Sequence, residues 1–129
     1  MVLRDGKAGM LSLRQATVTR WFSPKFAASQ QGEVGRLLDS LVNTSPQDYA
    51  ANCAALHDAD FTHQLAAVQL PVMVICADQD PVNNVADGEL LEQAITVAQL
   101  VTLCAAHLSN VEARQFFSSA LLAFLMSRA

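Results

Sequence analysis

The sequence predicts an α/β fold in which a helical segment, residues 1–69, precedes a strand–helix–strand–helix unit of a parallel sheet, residues 70–129. Three observations carry this. Val72-Met73-Val74-Ile75-Cys76 is a continuous β-branched apolar run bounded by Pro71 and Asp78. That is the pattern of a strand buried on both faces, as in parallel sheets. Leu100 to Cys104 is a second apolar run. Upstream of Pro71 the apolar residues recur at helical spacing, and nothing there reads as strand.

The elements follow in order. Met10, Leu11, Leu13, Val18 and Trp21 form a loose helical stripe that Ser23-Pro24 stops. Gly35 to Val42 is a shorter helix with Leu37, Leu38 and Leu41 on one side. Ser45-Pro46-Gln47-Asp48 starts the next, running to about Leu56: Ser45 caps, Pro46 suits the first helical position, and Asp48 reaches back as in a capping box. Asp60 to Val68 reads as a short helical turn. After the first strand, Asn84 caps a helix with Asp87 three residues on, and that helix carries Leu90, Leu91, Ile95 and Val97. Ser109-x-x-Glu112 predicts a capping box for a last helix with Val111, Phe116, Leu121, Leu122 and Leu125. The crossover between the two strands is expected to be right-handed. Two parallel strands do not make a sheet that stands alone, so the sequence reads as part of a fold.

Composition narrows the function classes. A chain of 129 residues fits one domain, and 52% hydrophobic with 16% charged residues is a folded composition. Eight Lys+Arg against twelve Asp+Glu give a net charge of -4, which argues against a nucleic-acid binder. The longest uncharged run, Gln93 to Val111, holds Gln93, Thr96, Gln99, Thr102, His107, Ser109 and Asn110, too polar for a membrane span. Arg4, Asp5 and Lys7 without an apolar run exclude a signal peptide. Cys53, Cys76 and Cys104 are odd in number and set among apolar residues. They read as buried free thiols of a reducing compartment, hence a cytoplasmic protein.

Ligand sites of parallel α/β sheets lie beyond the carboxyl ends of the strands. Asp80 follows the first strand and His107 the second, so parallel strands bring both to one edge. An Asp beside a His is the orienting half of a catalytic triad, because the carboxylate fixes the imidazole tautomer and steadies the imidazolium. The bland alternative makes Asp80 a turn residue and His107 a loop histidine; Asp78 competes for the acid role. No nucleophile accompanies them. None of Gly6, Gly9, Gly32, Gly35 and Gly88 brackets a serine as G-x-S-x-G, and there is no HGGG-like oxyanion loop. Cys104 lies in the apolar strand and reads as a core cysteine rather than an activated thiol. His57-Asp58-Ala59-Asp60-Phe61-Thr62-His63 has metal-ligand residue types, but a helix end at His57 and a cap at Asp60 explain them more simply. Asp78-x-Asp80-x-x-Asn83-Asn84 is not a calcium loop, since it lacks the central Gly and the closing Glu. Arg20-Trp21-Phe22 pairs the only tryptophan with a cation: either Trp21 packs and Arg20 is solvated, or the two form a wall that recognises an anion.

Several stretches resemble the C-terminal half of 3-oxoadipate enol-lactonases, α/β-hydrolases of the β-ketoadipate pathway of aromatic catabolism. They are Arg20-Trp21-Phe22-Ser23-Pro24-Lys25-Phe26, Asp48-Tyr49-Ala50-Ala51-Asn52-Cys53-Ala54-Ala55 and Asp58-Ala59-Asp60-Phe61. Leu70-Pro71-Val72-Met73-Val74-Ile75 with Asp80-Pro81, and Ala105-Ala106-His107-Leu108-Ser109-Asn110-Val111-Glu112, continue the match. The resemblance runs from about Arg14 to Leu125. A strand, an Asp loop and a His loop fix only the superfamily, whereas the Arg-Trp-Phe and His-Leu-Ser-Asn-Val-Glu stretches are more specific. Asn83-Asn84 and Arg114 depart from the family's frequent prolines, which affects loops rather than chemistry.

The resemblance implies the C-terminal part of an α/β-hydrolase fold: a helical cap segment to about Gln69, then the last strands and helices of the core. It implies that Asp80 is the triad acid and His107 the general base, that the substrate is a small lactone or ester, and that no metal or organic cofactor is needed. Arg20 with Trp21 would recognise the substrate carboxylate. The N-terminal half, which in the family carries the oxyanion loop and nucleophilic serine, has no counterpart here, and Met1 falls inside the expected cap region. The chain alone is therefore expected not to hydrolyse esters. The alternatives are a non-catalytic module that self-associates or pairs with another chain to finish its sheet, and a small metal-binding protein using His57 and His63.

Overall fold

A computed structural model describes residues 2–127 of the chain, with backbone alone at 2–5 and 7. The segment ends at residues 1, 128 and 129, and the side chains of Arg4, Asp5 and Lys7, lie outside the described residues. Two compact units emerge: the residues up to Thr19 with Pro24–Asp60, and Arg20–Ser23 with the residues from Phe61 onward.

The first unit is helical. Helix α1 spans Val2–Trp21, starting earlier than the apolar stripe predicted, and it kinks at Gly6, whose φ of 55° only glycine adopts readily. Helix α2, Pro24–Ser29, restarts on the proline that the sequence reads as a stop, because Pro is well suited to a first helical turn. Helix α3, Gln31–Val42, buries Val34, Leu38, Leu41 and Val42, a stripe at i, i+4, i+7 and i+8. With Met10 these are the buried apolar side chains of the unit among the described residues. Helix α4 spans Pro46–Asp58 with Ser45 as its cap and Pro46 at its first position: the Ser45 hydroxyl accepts a hydrogen bond from the Asp48 N–H at 3.3 Å, which is one half of the expected capping box. No residue of α4 is buried.

In the second unit the expected short helical turn is a 3-10 turn, Thr62–Ala67, and its cap position is Phe61 rather than Asp60. Strand β1, Val72–Ala77, pairs in parallel with β2, Ala98–Leu103, with Val72 opposite Ala98 and Ala77 opposite Leu103. Helix α5, Val85–Ala94, joins them and opens with the expected capping box, Asn84 Oδ1 accepting from Asp87 N–H while Asp87 accepts from Asn84 N–H. A Cβ at Gly88 would lie 2.0 Å from Cys76 Sγ and 3.1 Å from Leu100 Cδ1, so glycine is what lets α5 come so close to the strands.

Three expectations are corrected here. β1 is not buried on both faces: among the described residues the sheet has two strands, and only Ala77 of β1 is fully buried. The cysteines are free but not core residues, since Cys53 and Cys104 are exposed and Cys76 is half-buried. Cys53 sits on the unburied α4, and Cys104 lies one residue beyond β2, where its sulfur accepts from Gln79 Nε2 at 3.3 Å. The last helix is also two pieces. Helix α6, Ser109–Glu112, breaks at Ala113 (φ -110°, ψ 40°) and α7 continues over Arg114–Met126. Helix α7 buries no residue; Phe116 is 73% exposed and Met126 76%. Among the described residues no helix is long and apolar enough to cross a membrane.

Candidate active site

The parallel register sets the carboxyl ends of β1 and β2 side by side, and hydrogen bonds carry the pairing past the strands. Asp78 N–H donates to the Leu103 carbonyl at 3.0 Å and Gln79 N–H to the Ala105 carbonyl at 3.0 Å. Asp78 Oδ1 accepts from the Ala105 N–H at 3.3 Å. That contact ties the competing acid to the second loop's backbone rather than to the imidazole.

Asp80 is the carboxylate that meets His107. Its Oδ1 accepts from the N–H groups of Val82 at 2.7 Å and Asn83 at 3.2 Å, the geometry of a side chain closing its own turn over Pro81. Its Oδ2 lies 2.9 Å from His107 Nδ1. The Asp80 side chain is 8% exposed and that of His107 29%. Burial alone would push the Asp80 carboxyl up. The hydrogen bonds from His107, Val82 and Asn83, with the positive charge His107 can carry, outweigh it and hold the carboxyl below its ordinary value. An ionised Asp80 only accepts, so the proton of the neutral imidazole sits on Nδ1, leaving Nε2 as the basic nitrogen.

The loop carrying His107 is held on both sides. Ala106 N–H donates to Glu112 Oε2 at 3.4 Å, and Leu108 N–H donates to the Trp21 carbonyl at 3.0 Å. Glu112 Oε2 also accepts from Ser23 N–H at 3.1 Å, and its Oε1 from the Ser23 hydroxyl. The predicted Ser109–Glu112 capping box is therefore corrected. Leu108 holds the cap position without a side-chain bond, and the Glu112 carboxylate is spent on Ser23 and Ala106. No local signal points to this, because Ser23 lies 89 positions from Glu112.

Arg20 and Trp21 sit at the end of α1, Arg20 exposed and Trp21 half-buried. The Trp21 ring packs edge-on against Phe22, with centroids 6.4 Å apart and planes at 80°. The hydrogen bond joining Trp21 to the His107 loop is made by its backbone, and among the described residues none joins Arg20 or the Trp21 ring to Asp80 or His107. His57 and His63 are exposed, and no group of three or more His, Cys, Asp or Glu among the described residues is placed to hold a metal.

Comparison with known proteins gives the geometry a context. The chain is 41% identical to 3-oxoadipate enol-lactonase 2 of Acinetobacter baylyi over 112 residues, covering 87% of this chain and 42% of that protein. It is 36% identical to 3-oxoadipate enol-lactonase 1 of the same organism over 119 residues, 92% of this chain and 45% of that one. Among solved structures, the enol-lactonase from Burkholderia xenovorans superposes with a TM-score of 0.90 at 32% identity, over 92% of this chain and 45% of that chain. No protein-family profile matches. The chain spans less than half the length of the relatives it matches. Along almost all of its own length it is similar to enol-lactonases, and its fold is part of an α/β-hydrolase.

Proposed function

From that similarity we propose that the chain supplies the acid and base of a Ser-His-Asp triad for hydrolysis of a carboxylic ester or lactone, with 3-oxoadipate enol-lactone the best-supported substrate. The observation that carries the reading is the 2.9 Å contact of His107 Nδ1 with Asp80, in a chain similar to enol-lactonases. Asp80 orients His107 and stabilises its cation; His107 Nε2 takes the proton of a serine as it attacks the lactone carbonyl. His107 then returns that proton to the leaving enol oxygen, and later activates the water that cleaves the acyl-enzyme. Arg20 is the group we assign to the free carboxylate of the substrate, with Trp21 beside it; its exposed guanidinium is what supports this. The chain contains no G-x-S-x-G elbow, so the serine comes from other polypeptide and these residues alone do not turn over esters. Three free cysteines suit a cytoplasmic setting.

The test is a hybrid in which this chain replaces the matched region of the Acinetobacter baylyi enol-lactonase 2. The hybrid is expected to hydrolyse the enol-lactone. By analogy with other triads, Asp80→Asn should lower kcat by about 10⁴-fold, and His107→Ala by a comparable factor. Arg20→Ala should raise KM more than it lowers kcat. A folded hybrid indifferent to Asp80→Asn and His107→Ala would sink the proposal, as would saturable turnover by the unfused chain.

A second reading rests on a different observation. The described sheet has two strands, and α7 leaves Phe116, Leu122, Leu125 and Met126 exposed. A non-catalytic module that pairs with a second copy through this face would show concentration-dependent sedimentation that Leu122→Asp abolishes. Monomer at all concentrations would end that reading.

A further inference from the structure

We infer that Glu112 is a positioning residue for His107, acting through Ala106 and Ser23 without touching the imidazole. The inference rests on the reading of His107 and Asp80 as a base and its orienting acid. A histidine is oriented by its ring partner only if the backbone beneath it is fixed, and here the loop has little regular structure to fix it. Strand β2 ends at Leu103, and the first helical residue after it is Ser109. Between them the loop is pinned by named bonds. Ala105 N–H goes to Asp78 Oδ1, Ala106 N–H to Glu112 Oε2, and Leu108 N–H to the Trp21 carbonyl.

Glu112 joins the two strips of chain that make these bonds. One Oε2 accepts from both Ser23 N–H at 3.1 Å and Ala106 N–H at 3.4 Å, and Oε1 accepts from the Ser23 hydroxyl. Ser23 and Ala106 are both buried, at 6% and 1% exposure, so neither N–H has water as a ready substitute. Ser23 lies two residues beyond Trp21, whose carbonyl holds the other side of His107. The carboxylate therefore clamps the Trp21–Ser23 strip to the His107 loop, and removing it frees Ala106 directly and the Trp21 carbonyl indirectly. The cost to helix α6 fits this assignment, because Glu112 is not used in capping its N-terminus.

The clamp needs an acceptor on the 112 side chain, not a charge as such. A glutamine keeps one oxygen for the Ser23 and Ala106 N–H groups and turns its amide toward the Ser23 hydroxyl, which can accept. Alanine supplies nothing.

The experiment reads the His107 ring by nitrogen-15 NMR in the full 129-residue chain, with the imidazole neutral. In the wild type a proton held on Nδ1 gives a slowly exchanging signal, and Asp80→Asn removes or shifts it. Glu112→Ala is expected to lose that signal while the Val82 and Asn83 amide signals, which report the Asp80 turn, stay in place. Glu112→Gln restores it. Leu38→Ala, a destabilising change in the helical unit, serves as the control for general loss of stability and keeps the signal. If Glu112→Ala retains the Nδ1 proton signal unchanged, or if Leu38→Ala loses it equally, the inference is overturned and the triad reading stands. If the wild type lacks the signal and ignores Asp80→Asn, the triad reading fails first. Should Glu112→Ala be unfolded, Glu112→Asp tests the same clamp with a carboxylate one methylene too short to span Ser23 and Ala106, and an unaltered Nδ1 signal there overturns it.

Discussion

Both units of this chain bury apolar side chains, and they differ in how far directed hydrogen bonds add to that burial. The helical unit collects Met10, Val34, Leu38, Leu41 and Val42 into buried positions, and the surface pair of Arg14 with Asp39 is a long-range polar contact within it. The strand unit leaves Leu90, Phe116, Leu122, Leu125 and Met126 exposed. It also buries Phe22, Ala77, Ile95 and Leu103, and directed hydrogen bonds add to that burial in fixing its local geometry: the Asn84–Asp87 box, the Asp80 turn and the Glu112 clamp. Burial is proportional to area and indifferent to direction, so it holds helices together without setting a ring nitrogen. Hydrogen bonds are directional, and the candidate acid–base pair lies where they are concentrated.

The largest stability effect should therefore separate the units. Leu38 is 3% exposed, and Leu38→Ala is expected to cost about 2–5 kcal/mol, whereas Leu122→Ala, at an exposed position, should stay within about 0.5 kcal/mol. Two probes resolve where the loss falls. Trp21 is the only tryptophan and belongs to the strand unit, while most of the helical residues that dominate far-UV circular dichroism lie in the helical unit. A Leu38→Ala transition that shifts in circular dichroism but not in Trp21 fluorescence sharpens the comparison. Identical shifts in both would break it, by showing one cooperative unit.

Gly88 offers the complementary perturbation. Its added methyl would overlap Cys76 Sγ and press on Leu100, so Gly88→Ala is expected to cost about 1–3 kcal/mol. The loss should appear in the Trp21 transition. Cys76→Ala removes the sulfur that the methyl meets, and the double variant should recover part of the loss, a coupling measured by a double-mutant cycle. No recovery would mean that Leu100 or the backbone, not the sulfur, sets the spacing.

What could be read from the sequence divides along the same line. Contacts between near neighbours were legible where spacing within one element decides them: the Ser45 cap, the Asn84–Asp87 box, and Leu38 with Leu41 in α3, where the buried stripe continues through Val34 and Val42 rather than Leu37. The Asp80–His107 meeting was legible at long range because parallel strands of matched length deliver their ends to one edge, and that needs only topology. Glu112 was misread because Ser-x-x-Glu is a good local capping pattern. A competing partner 89 positions away leaves no trace in it. Gly88 carries no signal either, since a helical glycine looks like a weak point until the strand beneath it is known. The burial of β1 was overstated for a related reason: an apolar run reports what a strand is suited to, not what covers it.

The smallest predicted effect tests whether the directed bonds at the site contribute to stability at all. Asp80 is held below its ordinary value in the folded chain, so across that interval the unfolded chain binds more protons and stability rises with pH. The contribution is complete above the ordinary carboxylate range and is lost as pH falls through the lowered folded value. Asp80→Asn does not titrate there. The gap in urea midpoint between wild type and Asp80→Asn should therefore be widest near neutral pH and narrow as the solution is acidified. The Trp21 transition should report it, because Trp21 and Asp80 share a unit. If the gap were constant with pH, the histidine and amide contacts would not favour the carboxylate over the acid. The polar network would then be a consequence of the strand unit's fold rather than part of what holds it.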